Sequence, residues 1–262
     1  MNMSEDYDSH IQITQGILRP FAHRMVVTYE GKSDKTDAVY VFSLSTGLIR
    51  EEKIPTFGTK ENYYDVDIEH RLSSEIEGPF GLAISHLKDP QTKEKTLENR
   101  EEVQAIRRYM IFSLIRAQRN HANPQIKSFL KGFGKDLAPS QVLKTFLVQK
   151  EVVDPFQGMS LALLHNDSPV EFVIPFNCLS IANTPRGDLI FFPFTPKDLL
   201  LLSPSDEDAT ILDLGEEKDE ERVRSINNFA LGTEMVNTQL IIGKTKDELL
   251  RLESLYSKAK RQ

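Results

Sequence analysis

The spacing of apolar residues changes twice along this 262-residue chain, and those changes limit its architecture more than any single motif does. Two early runs, Met25–Tyr29 and Ala38–Leu44, are rich in β-branched and aromatic residues and read as strands. From Ile68 to Gln149 apolar positions recur at helical spacing. After Pro155 short apolar runs return, cut by Pro, Asn, Asp and Gly, which is the pattern of a small β-sheet. Strands segregated from a helical block, rather than alternating with helices, predict an α+β fold.

Within that outline the early runs form a β-hairpin across a longish polar loop, Glu30–Asp37. Ile68, Leu72, Ile76, Phe80, Ile84 and Leu87 trace a helix that Gly78-Pro79 kinks or restarts. The clearest helix spans Leu97–Gln118, with Val103, Ile106, Met110, Leu114 and Ala117 on one stripe and Pro124 beyond its end. Prolines suited to a first helical turn open two shorter helices, Pro124–Leu130 and Pro139–Gln149. Strands are expected at Ser160–Leu164, Glu171–Ile174, Leu189–Phe192 and Leu199–Leu202. The acidic Ser203–Glu221 segment reads as a solvated loop whose end suits the N-terminus of a helix carrying Val223, Ile226 and Ala230. A last helix, Lys246–Lys258, aligns Leu249, Leu252 and Leu255. The expectation is an N-terminal β-hairpin, a central helical region and a C-terminal, mostly antiparallel sheet packed with helices. All of it forms one integrated domain over residues 1–262, with lobes near 1–60, 61–150 and 151–262.

Composition acts mainly by exclusion. A hydrophobic content of 39% and a charged content of 27% suit a chain with a core of its own. A net charge of -7 argues against non-specific nucleic-acid binding and leaves a protein or a small phosphate-containing ligand as partner. Cys178 is the single cysteine, so there is no internal disulfide framework and no cysteine-rich zinc site, and a cytoplasmic setting fits. The acidic N-terminus does not read as a secretory signal, and Leu199–Leu202 is too short to span a bilayer. Neither the dinucleotide, P-loop, H-E-x-x-H nor G-x-S-x-G motif occurs, and the six histidines lack paired ligand spacing, so no cofactor or metal is expected.

What remains are polar constellations. His165-Asn166-Asp167-Ser168-Pro169 interrupts an apolar stretch, and its carboxylate and imidazole could share a proton task. The same residue types also build turns by bonding their own backbone. Arg116 and Arg119, with Arg108, give the end of the long helix a cationic edge for phosphate or carboxylate, or simply one that complements the helix dipole. His10 is a natural acid or base, and Arg19 a natural anion clamp. Asn227-Asn228 is unusual inside a helix and needs partners if buried.

These pieces occur in an order that resembles an uncharacterised bacterial domain family. The elements are His10 with Ile17-Leu18-Arg19-Pro20-Phe21, the Tyr40–Gly47 strand, Glu61–Asp65, the Glu69–Glu77 helix, Asn166-Asp167-Ser168-Pro169-Val170, Ile190–Pro196 and Ile226-Asn227-Asn228. The spacing from His10 to Leu18 is longer than in the family pattern, and His165 lies outside the matched element. The resemblance implies one domain over about residues 10–240 and supplies no function. It gives site weight to Asp167 and His10 as catalytic groups, Arg19, Arg116 and Arg119 as anion contacts, and Ser168 and Asn228 as polar support. Two functions follow as expectations. One is a phosphodiester or nucleotide hydrolase, RNase-like, of the stress- or phage-defence type, with His10 or His165 as acid or base. The other is a non-catalytic module binding a protein or a small anionic ligand.

Overall fold

The N-terminal hairpin is longer and tighter than its apolar runs imply, because a strand facing water on both sides leaves no apolar signature. The computed structural model describes residues 8–10, 13–29, 32–61, 65–116, 139–148, 156–176, 178–204, 219–236 and 240–261. In chain order the first elements are β1 (Asp8–His10), α1 (Gln15–Leu18) with a 3₁₀ turn at Arg19–Phe21, β2 (His23–Tyr29), β3 (Lys32–Ser43), β4 (Leu48–Lys53) and β5 (Thr59–Glu61). The helical block follows: α2 (Val66–Leu72), a π-helical turn (Ser73–Glu77), α3 (Gly78–Lys88), α4 (Lys93–Glu98), α5 (Arg100–Arg116) and α6 (Pro139–Val148). Then come β6 (Ser160–His165), β7 (Ile174–Pro175), β8 (Ser180–Thr184), β9 (Gly187–Pro193) and β10 (Asp198–Ser203), and finally α7 (Asp219–Val236), β11 (Leu240–Gly243) and α8 (Lys246–Ala259). The fold is α+β. Its elements group into two compact units, one from segments 1–14 and 56–157, the other from segments 15–55 and 158–262.

In the first unit β1 and β5 pair antiparallel, and the rest is helical. Pro79 does not break the helix, because it falls in the first turn of α3, where no N–H is required. Glycine suits position 78, since a Cβ would sit 3.0 Å from the Ser73 carbonyl oxygen at the π-helical turn. The expected Leu97–Gln118 helix is divided at Asn99, which ends α4 and caps α5: its Oδ1 accepts the Glu101 and Glu102 amides at 3.0 and 3.4 Å. Ile106, Met110 and Leu114 are buried, and Phe80 stacks on Tyr109 with ring centroids 3.8 Å apart. Tyr109 also meets Thr14 at 2.9 Å between hydroxyls. The expected Pro124–Leu130 helix lies outside the described residues.

The second unit holds two antiparallel sheets. One has the order β2-β3-β11-β7, with β4 also paired to β3; the other runs β6-β10-β9-β8. Lys32–Asp37, expected as loop, is strand: Asp37 pairs with Arg24 and Lys32 with Tyr29, so only Glu30-Gly31 lie between the strands. Glu171–Val173, expected as strand, is irregular, and only Ile174–Pro175 pairs with β11. Strands β8 and β11 are short, at five and four residues. Helix α7 serves both cores: Ala230 and Leu231 pack with Phe42, Ile241, Leu249 and Leu252, while Val223 and Ile226 pack with Leu164, Phe191, Leu199 and Leu201. Fully burying such a side chain contributes about 1.5–3 kcal/mol, so α7 ties the two sheets together mainly by apolar contact.

Candidate functional site

Strands β6 and β10 set the site by register. His165, the last residue of β6, lies directly opposite Asp198, the first residue of β10, so both side chains leave the same face. His165 Nδ1 is 2.7 Å from Asp198 Oδ1. The other carboxylate oxygen of Asp198 accepts the Thr195 hydroxyl at 2.6 Å. Thr195 Oγ1 in turn accepts the backbone amides of Lys197 and Asp198, at 3.0 and 2.8 Å. The β9–β10 turn therefore aims its first strand residue at the imidazole.

The chain leaving β6 makes a turn from its own polar atoms. Asn166 Oδ1 accepts the Ser168 amide at 2.9 Å and the Ser168 hydroxyl at 2.7 Å, while Asn166 Nδ2 donates to the Val170 carbonyl at 2.6 Å. Asn166 and Ser168 are buried, and the Ser168 carbonyl also accepts the Lys197 ammonium. Asp167, between them, points outward with its side chain 75% exposed, and its Oδ1 is 3.3 Å from His165 Nε2. One imidazole thus faces a carboxylate at each ring nitrogen.

Behind the turn, the Phe172 amide donates to the Pro196 carbonyl at 2.9 Å. The Val173 amide donates to Asn227 Oδ1 at 3.0 Å, and Asn227 Nδ2 donates to the Glu171 carbonyl and to Glu248 Oε1, both at 2.9 Å. Arg251 completes this network, its Nε 2.9 Å from both Glu248 oxygens and its Nη2 2.9 Å from Asn228 Oδ1.

Of the residues singled out from sequence, Asp167 and Ser168 fall in this turn. The imidazole beside Asp167 is His165, which the family resemblance had left outside its motif. Asn228 is exposed and bonds Arg251, and the internal role belongs to its neighbour Asn227. Arg19 is exposed on the 3₁₀ turn, where its Nη2 donates to Gln15 at 3.3 Å. Among the described residues no hydrogen bond joins Arg19 or Asn228 to Asp167. His10 pairs with Thr59 through its backbone in β1, and Arg116 ends α5; the side chains of both, and all of Arg119, lie outside the described residues. Asp198 carried no signal of its own in the sequence, since register alone brings it to His165, while Thr195 lies in the Ile190–Pro196 element of the resemblance, which gave it no role.

A second polar cluster lies on the first sheet of the same unit. His23, Tyr40 and Glu51 share one face of β2, β3 and β4, and Lys246 approaches from the start of α8. His23 stacks on Tyr40 at 4.1 Å and its Nε2 lies 2.8 Å from Glu51 Oε1. Among the described residues His23 Nδ1 is buried and has no hydrogen-bond partner, which fits the tautomer that donates from Nε2. The hydrogen bond from His23, helped by one from Tyr40 and opposed by burial, holds the Glu51 carboxyl below its ordinary range. Burial first, then the Glu51 carboxylate, pushes the Tyr40 phenol up. Among the described residues no group of three or more His, Cys, Asp or Glu is arranged to hold a metal ion, and no helix is long and apolar enough to cross a membrane.

The fold and the turn define a class: an α+β protein displaying a carboxylate–imidazole–carboxylate arrangement at the end of an antiparallel sheet. The chain belongs to the DUF4238 family, described as proteins of unknown function, whose model matches residues 12–247. The match includes the Asp167 turn and Asn227 and begins just after His10. No curated protein and no solved structure matches the chain.

Proposed function

We propose that this chain is a hydrolase of phosphodiester or nucleotide substrates, RNase-like, using His165 and Asp167 as its proton-transfer pair. The observation that carries the reading is the imidazole held between two carboxylates, at 2.7 Å from Asp198 and 3.3 Å from Asp167, with more than half of its side chain exposed. Asp198 orients the ring. Two acceptors as close as His165 Nε2 and Asp167 Oδ1 repel unless a proton lies between them, so the pair is suited to take a proton from a nucleophile and return one to a leaving group. Arg19, in the same unit, is the residue we would test first as an anion contact. The family match crosses both units and the chain passes between them three times, which supports one integrated domain.

A non-catalytic binding module is the second reading, favoured by the saturation of Asn166 and Ser168 within their own turn. Expression in a bacterial host separates the two. Wild type is expected to slow growth and degrade RNA, as a stress- or phage-defence effector would, while folded Asp167→Ala and His165→Asn are not. General acid–base groups contribute about 10²–10⁴-fold to rate, so the loss in purified protein should be at least about 10²-fold. Equal RNA integrity with wild type and both folded variants would sink the hydrolase.

A further inference from the structure

We infer that Thr195 is a positioning residue that sets the tautomer of His165 through Asp198; the inference rests on the acid–base reading of that site. Thr195 Oγ1 accepts two backbone amides, from Lys197 at 3.0 Å and Asp198 at 2.8 Å. Both of its lone pairs are then occupied, so its single proton can go only outward, and Asp198 Oδ2 receives it at 2.6 Å. With one oxygen fixed in this way, the Asp198 carboxylate presents the other to His165 Nδ1 at 2.7 Å. Both distances fall in the range of charge-assisted bonds to a carboxylate.

The consequence lies at the opposite nitrogen. Asp198, closer to the ring than the exposed Asp167 and held in place, keeps a ring proton at Nδ1. Nε2 is then the nitrogen that gains and loses the second proton, which it shares with Asp167 and exchanges with substrate. Asp198 alone does not guarantee this, because its side chain can rotate about its own bonds. The Thr195 hydroxyl removes that freedom, and it is itself fixed by backbone amides of the same turn. The relay runs from main chain to hydroxyl to carboxylate to imidazole, and each step is a hydrogen bond of 3.0 Å or less.

The test is ¹⁵N-histidine spectroscopy of the full chain once the His165 ring is neutral, with RNA cleavage measured beside it. Wild type and Thr195→Ser should show His165 protonated at Nδ1, and Thr195→Val should lose that signature and about 10²-fold in rate. If valine unfolds the turn, Thr195→Asp supplies an acceptor for the two amides and no donor for Asp198, and the same loss is expected. A folded Val or Asp variant that keeps the Nδ1–H tautomer overturns the inference, as does loss of the signature in the serine variant. Failure of the hydrolase reading looks different: His165→Asn would leave RNA cleavage unchanged, whatever the tautomer in the Thr195 variants.

Discussion

Replacing Asn227 with alanine removes three hydrogen bonds from the interior of the second unit. The side chain is fully buried. It accepts the Val173 amide at 3.0 Å and donates to the Glu171 carbonyl and Glu248 Oε1, both at 2.9 Å. Alanine leaves the Val173 amide and the Glu171 carbonyl without those partners, and each buried group left unpaired costs about 1–3 kcal/mol. Glu248 loses less, because Arg251 still holds both of its oxygens. The sum is roughly 2–6 kcal/mol, a large part of the 5–15 kcal/mol that typically stabilises a domain. Asn228→Ala is the control: that side chain is exposed, and its loss should cost less than about 0.5 kcal/mol. Urea denaturation followed by circular dichroism reads the totals, and hydrogen exchange at the Val173 amide reads the local effect. A loss below about 1 kcal/mol at Asn227, or equal losses at the two positions, would refute the reasoning and imply that water replaces the amide.

Two further perturbations test the same unit. Gly187 has φ +129, a region that side chains rarely enter, and a Cβ there would lie 2.7 Å from Pro204 Cγ; Gly187→Ala should lower the urea midpoint by the equivalent of about 1–3 kcal/mol or more. Glu51 is held below its unfolded pKa by His23, so its contribution is full above the unfolded value, near 4.3, and is lost as pH falls through the folded value. Glu51→Gln should therefore flatten the fall in urea midpoint between about pH 5 and pH 3, and an unchanged slope would show that other carboxylates govern it.

Much of the fold was legible because its signals are local. Ile106, Met110 and Leu114 mark α5 by spacing alone, and the apolar runs of β9 and β10 mark themselves. The polar half of β3 was not legible, because Lys32–Asp37 is held by backbone pairing to β2 and buries little. The site was half legible. Asp167 stood out by residue type, but Asp198 lies 33 positions from His165, and a one-residue slip in β6–β10 pairing would turn their side chains to opposite faces. The choice between the two asparagines was readable and was missed: Val223, Ile226, Asn227 and Ala230 follow i, i+3, i+4, i+7 spacing, which turns Asn227 inward and Asn228 out.

Asn166-Asp167-Ser168-Pro169 read from its residue types as either a turn or a site, and the geometry removes that opposition. Asn166 and Ser168 are 1% and 8% exposed and spend their polar atoms on closing the loop. Asp167 takes no part in that closure, and the carboxylate so displayed meets His165 instead. The two roles should therefore separate by mutation. Asn166→Ala orphans the Ser168 amide and leaves the Val170 carbonyl only the Ser168 hydroxyl at 3.3 Å, and should cost roughly 1–3 kcal/mol, read as a lower urea midpoint. Asp167→Ala removes an exposed side chain and should stay within about 0.5 kcal/mol of wild type while moving the NMR signals of the His165 ring, whose Nε2 lies 3.3 Å from that carboxylate. If Asp167→Ala destabilised the protein as much as Asn166→Ala, the carboxylate would be part of the turn, and its display toward His165 would be incidental.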